Sequence, residues 1–596
     1  MFWAWSTSDI DRILAGQGRL LTHLSPGYVV PANMPATLRL RCSLGVGSLA
    51  ADKGTTVEKI GEKGHTYSLT FTSPGRHTIK VSHGRGETTS LHLYSLPPLA
   101  EIADKRADFI LEHQQFTDPK DRRHLAFGMW DLEDQTLVTK SERNELAGGS
   151  TVAGIGPPLF LAAKNTVFPD ADEVKALERY VGEQLHGRIQ NPQTCEVHAF
   201  VSAGGDGPTT RSYTYPHVFS LYYAMYRIGR DYGLTEQPGA DYLKLAHRTA
   251  MAYLGRPMEL HTNLALGNPG EGTLNLIVTA LYREGLGDEA AELQKAVSRK
   301  LTYLARQQLL AYGRVAAGRF WAADTAGISG VYWLSRWGNW KEGLTRSVKL
   351  LAATRGNGRH WMWYGGDLAW DAEIAKYPTL EATTLGHPSA CNAAAMLDAA
   401  VLWRNPRYLE LGYAGLLGPW ARVRHTGEPQ GFYAWEPKLA RFDPWSGDID
   451  AALAPTFLFL GAYVALDRTF GLVGYGCHVS SNQTSYTVVP ADGMSKRVVS
   501  VPHRLVFEVG ADLIKTVTVT KKGDRMDVAI TRGWPDDHDG RFALSGLPAG
   551  TYGLSFDGGP AQALTSEQLA AGITIPFKQE RTAARLTLVR QESTSR

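Results

Sequence analysis

Connections between predicted helices alternate between short and long over most of the chain. Between residues 99 and 468, apolar residues recur at the helical period in roughly twelve segments. The short connections fall at 167–170, 233–240, 284–287, 338–340 and 404–407, and the long ones at 116–155, 190–216, 258–271, 311–327, 355–387 and 417–451. In a ring of antiparallel helix pairs, every second loop opens at the same end. The alternation therefore predicts that the long loops form one functional face.

Both ends of the chain carry patterns typical of β-sheet. Short runs of alternating polarity, separated by Gly, Pro and Asn, fill residues 25–96. After the last helix, β-branched residues alternate through 498–509, 514–520, 526–531 and 584–589. The first long loop holds two further short strands around an acidic turn at 125–138. We expect three domains: a small β-sandwich over 1–98, a ring of helix pairs over 99–469 and a second β-sandwich over 470–596.

The charge of the chain is nearly balanced, with 62 Lys and Arg against 59 Asp and Glu and a net charge of +3. A nucleic-acid groove needs a concentrated basic surface, so we expect no nucleic-acid partner. The four cysteines, Cys42, Cys195, Cys391 and Cys477, lack the paired spacing of zinc, iron–sulfur or redox sites, and we expect buried free thiols. No phosphate-loop, His-Glu-x-x-His or calcium-loop pattern occurs. The sequence therefore predicts neither a metal nor a cofactor.

The sequence leaves the location of the protein open. No run approaches the ~18 consecutive apolar residues of a membrane span, so we expect no membrane-spanning helix. The start, Met1-Phe-Trp-Ala-Trp, lacks the basic and apolar regions of a signal peptide, yet it opens abruptly on an aromatic cluster. That abrupt start suggests an upstream region, on this chain or on a separate one. The location would be periplasmic or extracellular with such a region and cytoplasmic without it.

The long loop at 355–387 is dense in aromatic side chains. Trp361, Trp363 and Tyr364 offer flat faces on which the C–H groups of a pyranose can lie, and Asp367 adds a hydrogen-bond acceptor. Trp321, in the preceding long loop, extends this set. A composition of this kind predicts a carbohydrate-binding cleft.

Carboxylates in the same two loops suit glycoside hydrolysis. That reaction needs one protonated carboxyl group, which donates to the leaving oxygen, and one ionised carboxylate, which activates water or attacks. We predict Asp371 and Glu381 as this pair, with Asp324 in reserve. The alternative for each acid is a helix cap or an arginine partner. Glu271 and Asp448 fall on the same predicted face, and either Asp448 or Asp450 suits the N-cap of the twelfth helix.

A second candidate site lies at the entrance of the fourth helix. Arg211, Tyr213, Tyr215 and His217 occur together there, and a proline in the first turn places His217 near the positive end of the helix dipole, which favours its neutral form. We expect both tyrosines to be exposed on one side. Together with His387 they would bind sugar hydroxyls, or remove a proton beside a uronic carboxylate that Arg211 or Asn263 neutralises. In the alternative, the tyrosines pack against the next helix and backbone groups satisfy His217.

Four stretches carry a resemblance to a known family. They are Gly148-Gly-Ser followed by Pro157-Pro-Leu-Phe-Leu-Ala-Ala-Lys-Asn, Tyr213-Thr-Tyr-Pro-His, Trp361-Met-Trp-Tyr-Gly-Gly-Asp and Phe470-Gly-Leu-Val-Gly-Tyr-Gly-Cys. With the helical ring and the β flanks, they resemble the six-hairpin (α/α)6 glycosidase-like proteins, a bacterial carbohydrate-active family of largely unknown function. The resemblance implies an (α/α)6 toroid flanked by an N-terminal and a C-terminal β-sandwich, with a further β-domain upstream. It implies no particular catalytic residue.

These observations leave three functions open. The preferred one is a glycoside hydrolase that cleaves an oligo- or polysaccharide in the mouth of the helical ring. The first alternative is a polysaccharide lyase, in which Tyr215 and His217 remove a proton and return it to the leaving oxygen. The second is a non-catalytic carbohydrate-binding subunit, because a fold alone does not imply activity. Only a lyase product carries a new double bond that absorbs in the near ultraviolet.

Overall fold

A computed structural model describes residues 19–61, 64–139, 152–202, 204–255, 267–306, 326–354, 383–384, 386–429, 433–434, 445–578 and 581–591. The chain divides into two compact units. The β unit comprises Met1–Ile102, Leu397–Ala421 and Gly461–Arg596, and the helical unit comprises Ala103–Met396 and Arg422–Leu460. Helical and β-sandwich-like regions therefore share one mixed chain.

The α-helices of the described residues follow the predicted series. They are α1 Leu99–His113, α2 Val152–Asn165, α3 Ala171–Arg179, α4 Tyr215–Tyr232, α5 Gly239–Leu254, α6 Thr273–Arg283, α7 Gly287–Arg306, α8 Ala326–Trp337, α9 Lys341–Thr354, α10 Gly386–Trp403, α11 Pro406–Leu417, α12 Ile449–Phe459 and α13 Ser566–Ala571. From α1 to α12, the short and long connections alternate at the predicted places. The predicted order of helices and connections is thus confirmed.

Local sequence signals explain where several helices begin and end. Asp170 caps α3, because its side chain accepts hydrogen bonds from the backbone N–H groups of the first turn. Proline occupies the first turn of α4, and that helix ends at Gly233, whose φ of 65° is a left-handed conformation that glycine adopts without strain. Asn405 caps α11, immediately before its proline.

Packing inside the helical unit joins consecutive helices and the two ends of its chain. Helix α4 packs on α5, α6 on α7 and α8 on α9, while α12 packs on α2. A Cβ at Gly156 would lie 3.1 Å from the Ala451 backbone nitrogen, so glycine allows α2 and α12 to approach closely. Arg106 of α1 donates to the Asp450 carboxylate at 2.7 and 2.8 Å, and neither side chain is appreciably exposed. These contacts connect segments that are far apart in sequence.

The strands lie mainly in the β unit. They are β1 Leu21–Ser25, β2 Val29–Pro31, β3 Ala36–Arg41, β4 Val46–Ala51, β5 Thr55–Lys59, β6 His65–Phe71, β7 Gly75–His83, β8 Glu87–Leu96, β9 Trp130–Asp131, β10 Thr136–Leu137, β11 Val201–Ser202, β12 Gly205–Asp206, β13 Thr383–Thr384, β14 Tyr433–Ala434, β15 Ala462–Asp467, β16 Gly471–Tyr475, β17 Cys477–Ser481, β18 Ser485–Pro490, β19 Arg497–Ser500, β20 Leu505–Val509, β21 Leu513–Thr520, β22 Arg525–Thr531, β23 His538–Ser545, β24 Thr551–Phe556, β25 Gln562–Thr565, β26 Ile573–Phe577 and β27 Ala583–Arg590. The short hairpin of β9 and β10 confirms the two strands that the sequence predicts inside the first long loop.

Two pairs of sheets account for most of the β unit. At the N-terminal end, sheets with the strand orders β1-β3-β6-β5 and β2-β8-β7-β4 enclose an apolar core that includes Leu38, Ile79 and Val81. At the C-terminal end, a six-stranded sheet β16-β15-β19-β20-β23-β26 and a seven-stranded sheet β17-β18-β21-β22-β27-β24-β25 enclose a larger core around Phe507 and Val517. Both are sandwich-like arrangements, as the alternating patterns predict.

The β structure near the C-terminus begins earlier than the sequence pattern indicates. Helix α12 ends at Phe459, and β15 starts at Ala462, inside the stretch that we predicted as helical. Residues 462–465 are apolar and completely or almost completely buried, so their pattern does not distinguish a central strand from a helix. The domain ranges 1–98, 99–469 and 470–596 stay a prediction.

The predictions from composition concerned the cysteines and membrane-spanning helices. Cys195, Cys391 and Cys477 are buried free thiols, as predicted, whereas Cys42 is a half-buried free thiol. Among the described residues, no helix is both long and apolar enough to cross a membrane.

Candidate functional site

The structure describes Arg211, Tyr213, Tyr215, His217 and His387 of the predicted site. The remaining predicted site residues lie outside the described part of the chain: Trp321, Asp324, Trp361, Trp363, Tyr364, Asp367, Asp371 and Glu381. Their assignment as catalytic and substrate-binding residues therefore stays a prediction. The described residues all belong to the helical unit.

The segment before α4 is a tight turn. Residues Ser212–Thr214 form a 3-10 helix that leads directly into α4. Tyr215 is consequently completely buried, and its hydroxyl donates to the Thr209 carbonyl at 2.7 Å. The predicted exposure of Tyr215 is wrong, because the turn rotates this ring into the helical core. A role in ligand binding stays a prediction that would require the ring to move.

Arg211 and Tyr213 remain partly exposed at the start of the same turn. The guanidinium carbon of Arg211 lies 5.2 Å from the centre of the Tyr213 ring, within the range of a cation–π contact. The two side chains therefore hold each other near the entrance of α4. Contact between either residue and a substrate stays a prediction.

His217 and His387 come together from helices that are distant in sequence. The centroids of their rings lie 4.6 Å apart, with an angle of 46° between the planes. His217 Nδ1 donates to the Tyr213 carbonyl at 3.0 Å, so Nε2 is the unprotonated nitrogen of the neutral ring. Among the described residues, the buried His217 Nε2 has no hydrogen-bond partner.

Both histidines are held in the neutral form. Burial lowers the pKa of His217 to about 4. Burial, with the neighbouring His217, lowers the pKa of His387 well below its ordinary value. The neutral form that we predicted for His217 is confirmed, although desolvation rather than the helix dipole is the main cause.

Asp448 fixes the start of α10 beside this histidine pair. It occupies the N-cap position of α12 but makes no side-chain hydrogen bond to that helix. Instead, its Oδ2 accepts the backbone N–H of His387 at 2.9 Å. The side chain is half-buried, and burial raises the pKa of its carboxyl group. Asp448 therefore occupies the predicted N-cap position, but its carboxylate caps α10 instead of α12.

A pocket that is open to solvent lies beside the two histidines. It is lined by Leu159, Pro216, His217, Ser220, Pro269, Gly270, Gly272, Thr273, Trp333, His387, Cys391, Ala394, Ala451, Ala454, Pro455, Leu458 and Phe459. With both histidines neutral, none of these lining residues carries a formal charge.

Three lining residues that the sequence did not single out for the site are Trp333, Phe459 and Cys391. Trp333 and Phe459 are both half-buried, and their rings stack with centroids 6.0 Å apart and 29° between the planes. Cys391 Sγ lies 3.4 Å from His387 Nε2, one helical turn along α10. All three lie on or at the end of largely buried helices, where an apolar pattern is not distinguishable from ordinary core packing. No sequence signal that we used would have found them.

One wall of the pocket rests on a buried polar network. Glu271 forms an ion pair with Lys300 of α7, and both side chains are completely buried. The hydroxyl of Tyr253 donates to Glu271 Oε1 at 2.5 Å, and the backbone N–H of Asn268 donates to Oε2 at 2.9 Å. Burial lowers the pKa of Lys300. Glu271 therefore holds the segment that contributes Pro269, Gly270, Gly272 and Thr273 to the lining, and is not itself a lining residue.

The described residues contain no group of three or more His, Cys, Asp or Glu side chains that could hold a metal ion. The two neutral imidazoles and the half-buried carboxyl group are instead suited to hydrogen bonding and proton transfer. A site of this kind can bind an uncharged polar ligand and exchange protons with it.

Comparison with known proteins gives a fold relationship. No curated protein matches the sequence significantly. A polysaccharide lyase is similar in structure, with a TM-score of 0.55 and 15% sequence identity over 76% of this chain and 66% of the lyase chain. The chain thus spans just under two thirds of that protein's length. At this identity, the similarity shows a shared fold alone.

A second similar structure is a family 76 glycoside hydrolase from a bovine Bacteroides thetaiotaomicron strain. It has a TM-score of 0.37 and 10% identity over 74% of this chain and 98% of the hydrolase chain. This similarity is too low to support an argument about fold or chemistry. At the level of sequence, a model for a family of unknown function, DUF5695, matches residues 1–203 and 202–545. The chain therefore belongs to the DUF5695 family.

Proposed function

We propose that this protein is a carbohydrate-active enzyme that cleaves a glycan by hydrolysis. The observation that carries the proposal is the position of Asp448, a half-buried carboxyl group with a raised pKa beside an uncharged pocket. Hydrolysis of a glycosidic bond requires a carboxyl group that stays protonated until it donates to the leaving oxygen. The fold shared with a polysaccharide lyase supports a glycan as the substrate.

In this proposal Asp448 is the general acid. Its carboxyl group is one hydrogen bond from His387, which lines the pocket, and α12 presents Ala451 and Ala454 to the same pocket. The second carboxylate would come from the long loops, where Asp371, Glu381 and Asp324 are our predicted candidates. Trp321, Trp361, Trp363, Tyr364 and Asp367 would extend the binding surface from the pocket along the sugar chain.

The proposed architecture is an (α/α)6 toroid. Two contacts support it: α12 packs on α2, and Arg106 of α1 pairs with Asp450 of α12. Both bring the last helix of the helical unit back to its first helices, as closure of a ring requires. The long connections would then meet at one end.

A lyase is the second candidate function, and the histidine pair is the observation that favours it. A neutral imidazole with an unprotonated Nε2 can remove a proton from a carbon beside a uronic carboxylate. The pKa of His217, about 4, is low for a base, but a bound carboxylate nearby would raise it. Arg211 is the described cation closest in sequence to this histidine and would neutralise the uronate.

The test is a screen of the purified protein against neutral and uronate-containing polysaccharides. New reducing ends and near-ultraviolet absorbance are recorded in the same reaction. Reducing ends without absorbance support hydrolysis, whereas equal growth of both signals replaces hydrolysis with the lyase reaction. Glycan binding without either signal would contradict both and leave a non-catalytic binding subunit.

A further inference from the structure

Trp333 and Phe459 form a stacked aromatic pair among the described pocket-lining residues. Both rings line the pocket and both keep part of their surface exposed, although each extends from a largely buried helix. An exposed aromatic face inside a concave pocket is a suitable surface for the apolar side of a flat ligand.

Gly272 is required for the position of the indole ring. A Cβ built at residue 272 would lie 2.7 Å from Trp333 Nε1 and 2.8 Å from its Cε2. Real Cβ atoms do not approach other atoms so closely, so any larger residue would displace the tryptophan. The buried network around Glu271 fixes the backbone on the other side, because the neighbouring residue 271 is held by Lys300 and Tyr253.

The polar groups of the pocket are uncharged and suited to hydroxyl groups. Ser220 and Thr273 form a hydrogen bond between their hydroxyls, with 2.8 Å between the two oxygens. His217 and His387 are neutral, and the lining residues that the structure describes include no Lys, Arg, Asp or Glu. A carboxylate buried against this lining would lose its hydration without gaining an ionic partner, which is costly.

We propose that the pocket binds a single uncharged pyranose ring. One face of the sugar stacks on Trp333, and its hydroxyls are directed towards His217 and His387 and towards the hydroxyls of Ser220 and Thr273. The inference rests on the proposed carbohydrate activity and names its substrate class, a neutral glycan. Trp333 is thus the specificity-determining residue, and Gly272 is the residue that allows the ring to stay in place.

The test uses saturation-transfer NMR on the intact protein with matched sugar pairs. The probes are the methyl glycosides of glucose, galactose and mannose, each compared with the corresponding methyl uronide, which differs only at C6. We expect a signal from at least one neutral glycoside and a signal about tenfold weaker from its uronide. Equal or stronger binding of the uronides would overturn the inference, as would the absence of any neutral signal.

Variants separate stacking from general damage to the fold. Trp333→Ala should weaken binding of the neutral glycoside about tenfold, since it removes the aromatic face. Trp333→Phe should retain most of the binding, while Gly272→Ala should weaken it by displacing the indole. Trp403→Ala, which removes a half-exposed tryptophan of the β unit, is the matched control and should bind as the parent does. Thermal unfolding monitors the fold of each variant.

The outcomes distinguish this inference from the proposed function. Binding of neutral glycosides that survives Trp333→Ala in a folded protein would refute the stacking role. Cleavage of uronate polymers alone would refute the neutral substrate while leaving a carbohydrate-active enzyme. A protein that neither binds nor cleaves any glycan would remove the proposed function as well.

Discussion

Lys300 and Glu271 form an ion pair in which both side chains are completely shielded from solvent. Such a pair pays a large desolvation cost, which its Coulomb attraction and additional hydrogen bonds must offset. Here Tyr253 and Asn268 supply those hydrogen bonds. The pair connects α7 to the wall of the candidate pocket, so the wall is held by directional contacts as well as apolar packing.

Removing one partner of this pair should be strongly destabilising. Lys300→Met leaves Glu271 buried without its cation, and we expect the free energy of unfolding to fall by about 3–5 kcal/mol. The control is Arg346→Ala, which breaks the exposed ion pair with Glu342 and should cost less than about 1 kcal/mol. Chemical denaturation at pH 7 measures both variants. Equally small losses of stability in the two variants would show that the buried pair does not stabilise the fold.

Gly330 should not accept a side chain. A Cβ at this position would lie 2.5 Å from the Asn268 backbone nitrogen and would also collide with the Glu271 carboxylate. We expect Gly330→Ala to destabilise the protein by about 1–3 kcal/mol through overpacking. Gly287→Ala is the matched control, because a Cβ there meets no atom within 4 Å. That variant should be neutral or slightly more stable, and a comparable loss in both would refute the predicted clash.

The stability of the protein should fall as the pH drops from about 6.5 towards 4. Below pH 6.5 the unfolded chain protonates His217, whereas the folded protein does not protonate it until about pH 4, so protons favour unfolding across this interval. The difference between the pKa values of His217 in the unfolded and folded protein lowers the free energy of unfolding by about 3 kcal/mol at pH 4. His217→Asn, whose amide can still donate to Tyr213, should show a shallower decline of unfolding temperature with pH. If the unfolding temperature of the variant declines as steeply as that of the parent, His217 is not the cause of the pH dependence.

Asp448→Asn separates the proposed acid from its structural role. An asparagine oxygen can still accept the His387 N–H, so the start of α10 should be preserved. The amide cannot donate a proton as a carboxylic acid does, and we expect cleavage of any substrate found to fall by about 100-fold or more. Initial rates of reducing-end release measure the loss. Unchanged rates in a folded variant would exclude Asp448 as the acid.

The sequence predicted the order of elements well but not the composition of the pocket. Asp170 and Asn405 mark the starts of α3 and α11, and proline and Gly233 mark the two ends of α4, because these signals act through neighbouring residues. The cap that Asp448 supplies to α10 depends instead on a residue 61 positions away. A local sequence pattern does not show which distant residue supplies this cap. The contact between the rings of His217 and His387 was unpredictable for the same reason.

One missed feature did leave a signal in the sequence. Lys300 lies on the apolar stripe of α7, three residues after Val297 and four before Leu304, both of which are buried. A lysine on such a stripe requires a buried partner, since an isolated ammonium is expensive to desolvate. That requirement would have directed attention to Glu271, which the loop pattern had placed among the candidate site acids. Its observed role is structural.

The packing of α2 against α12 has a consequence for how the protein is made. Ribosomes release the α2 segment long before the α12 segment, and the intervening chain holds most of the helical unit. The apolar side of α2 that α12 later covers must therefore stay open, or be shielded by another protein, until synthesis of the unit is almost complete. Nascent chains halted before residue 449 should accordingly be more susceptible to proteases and aggregation than those that extend beyond residue 460.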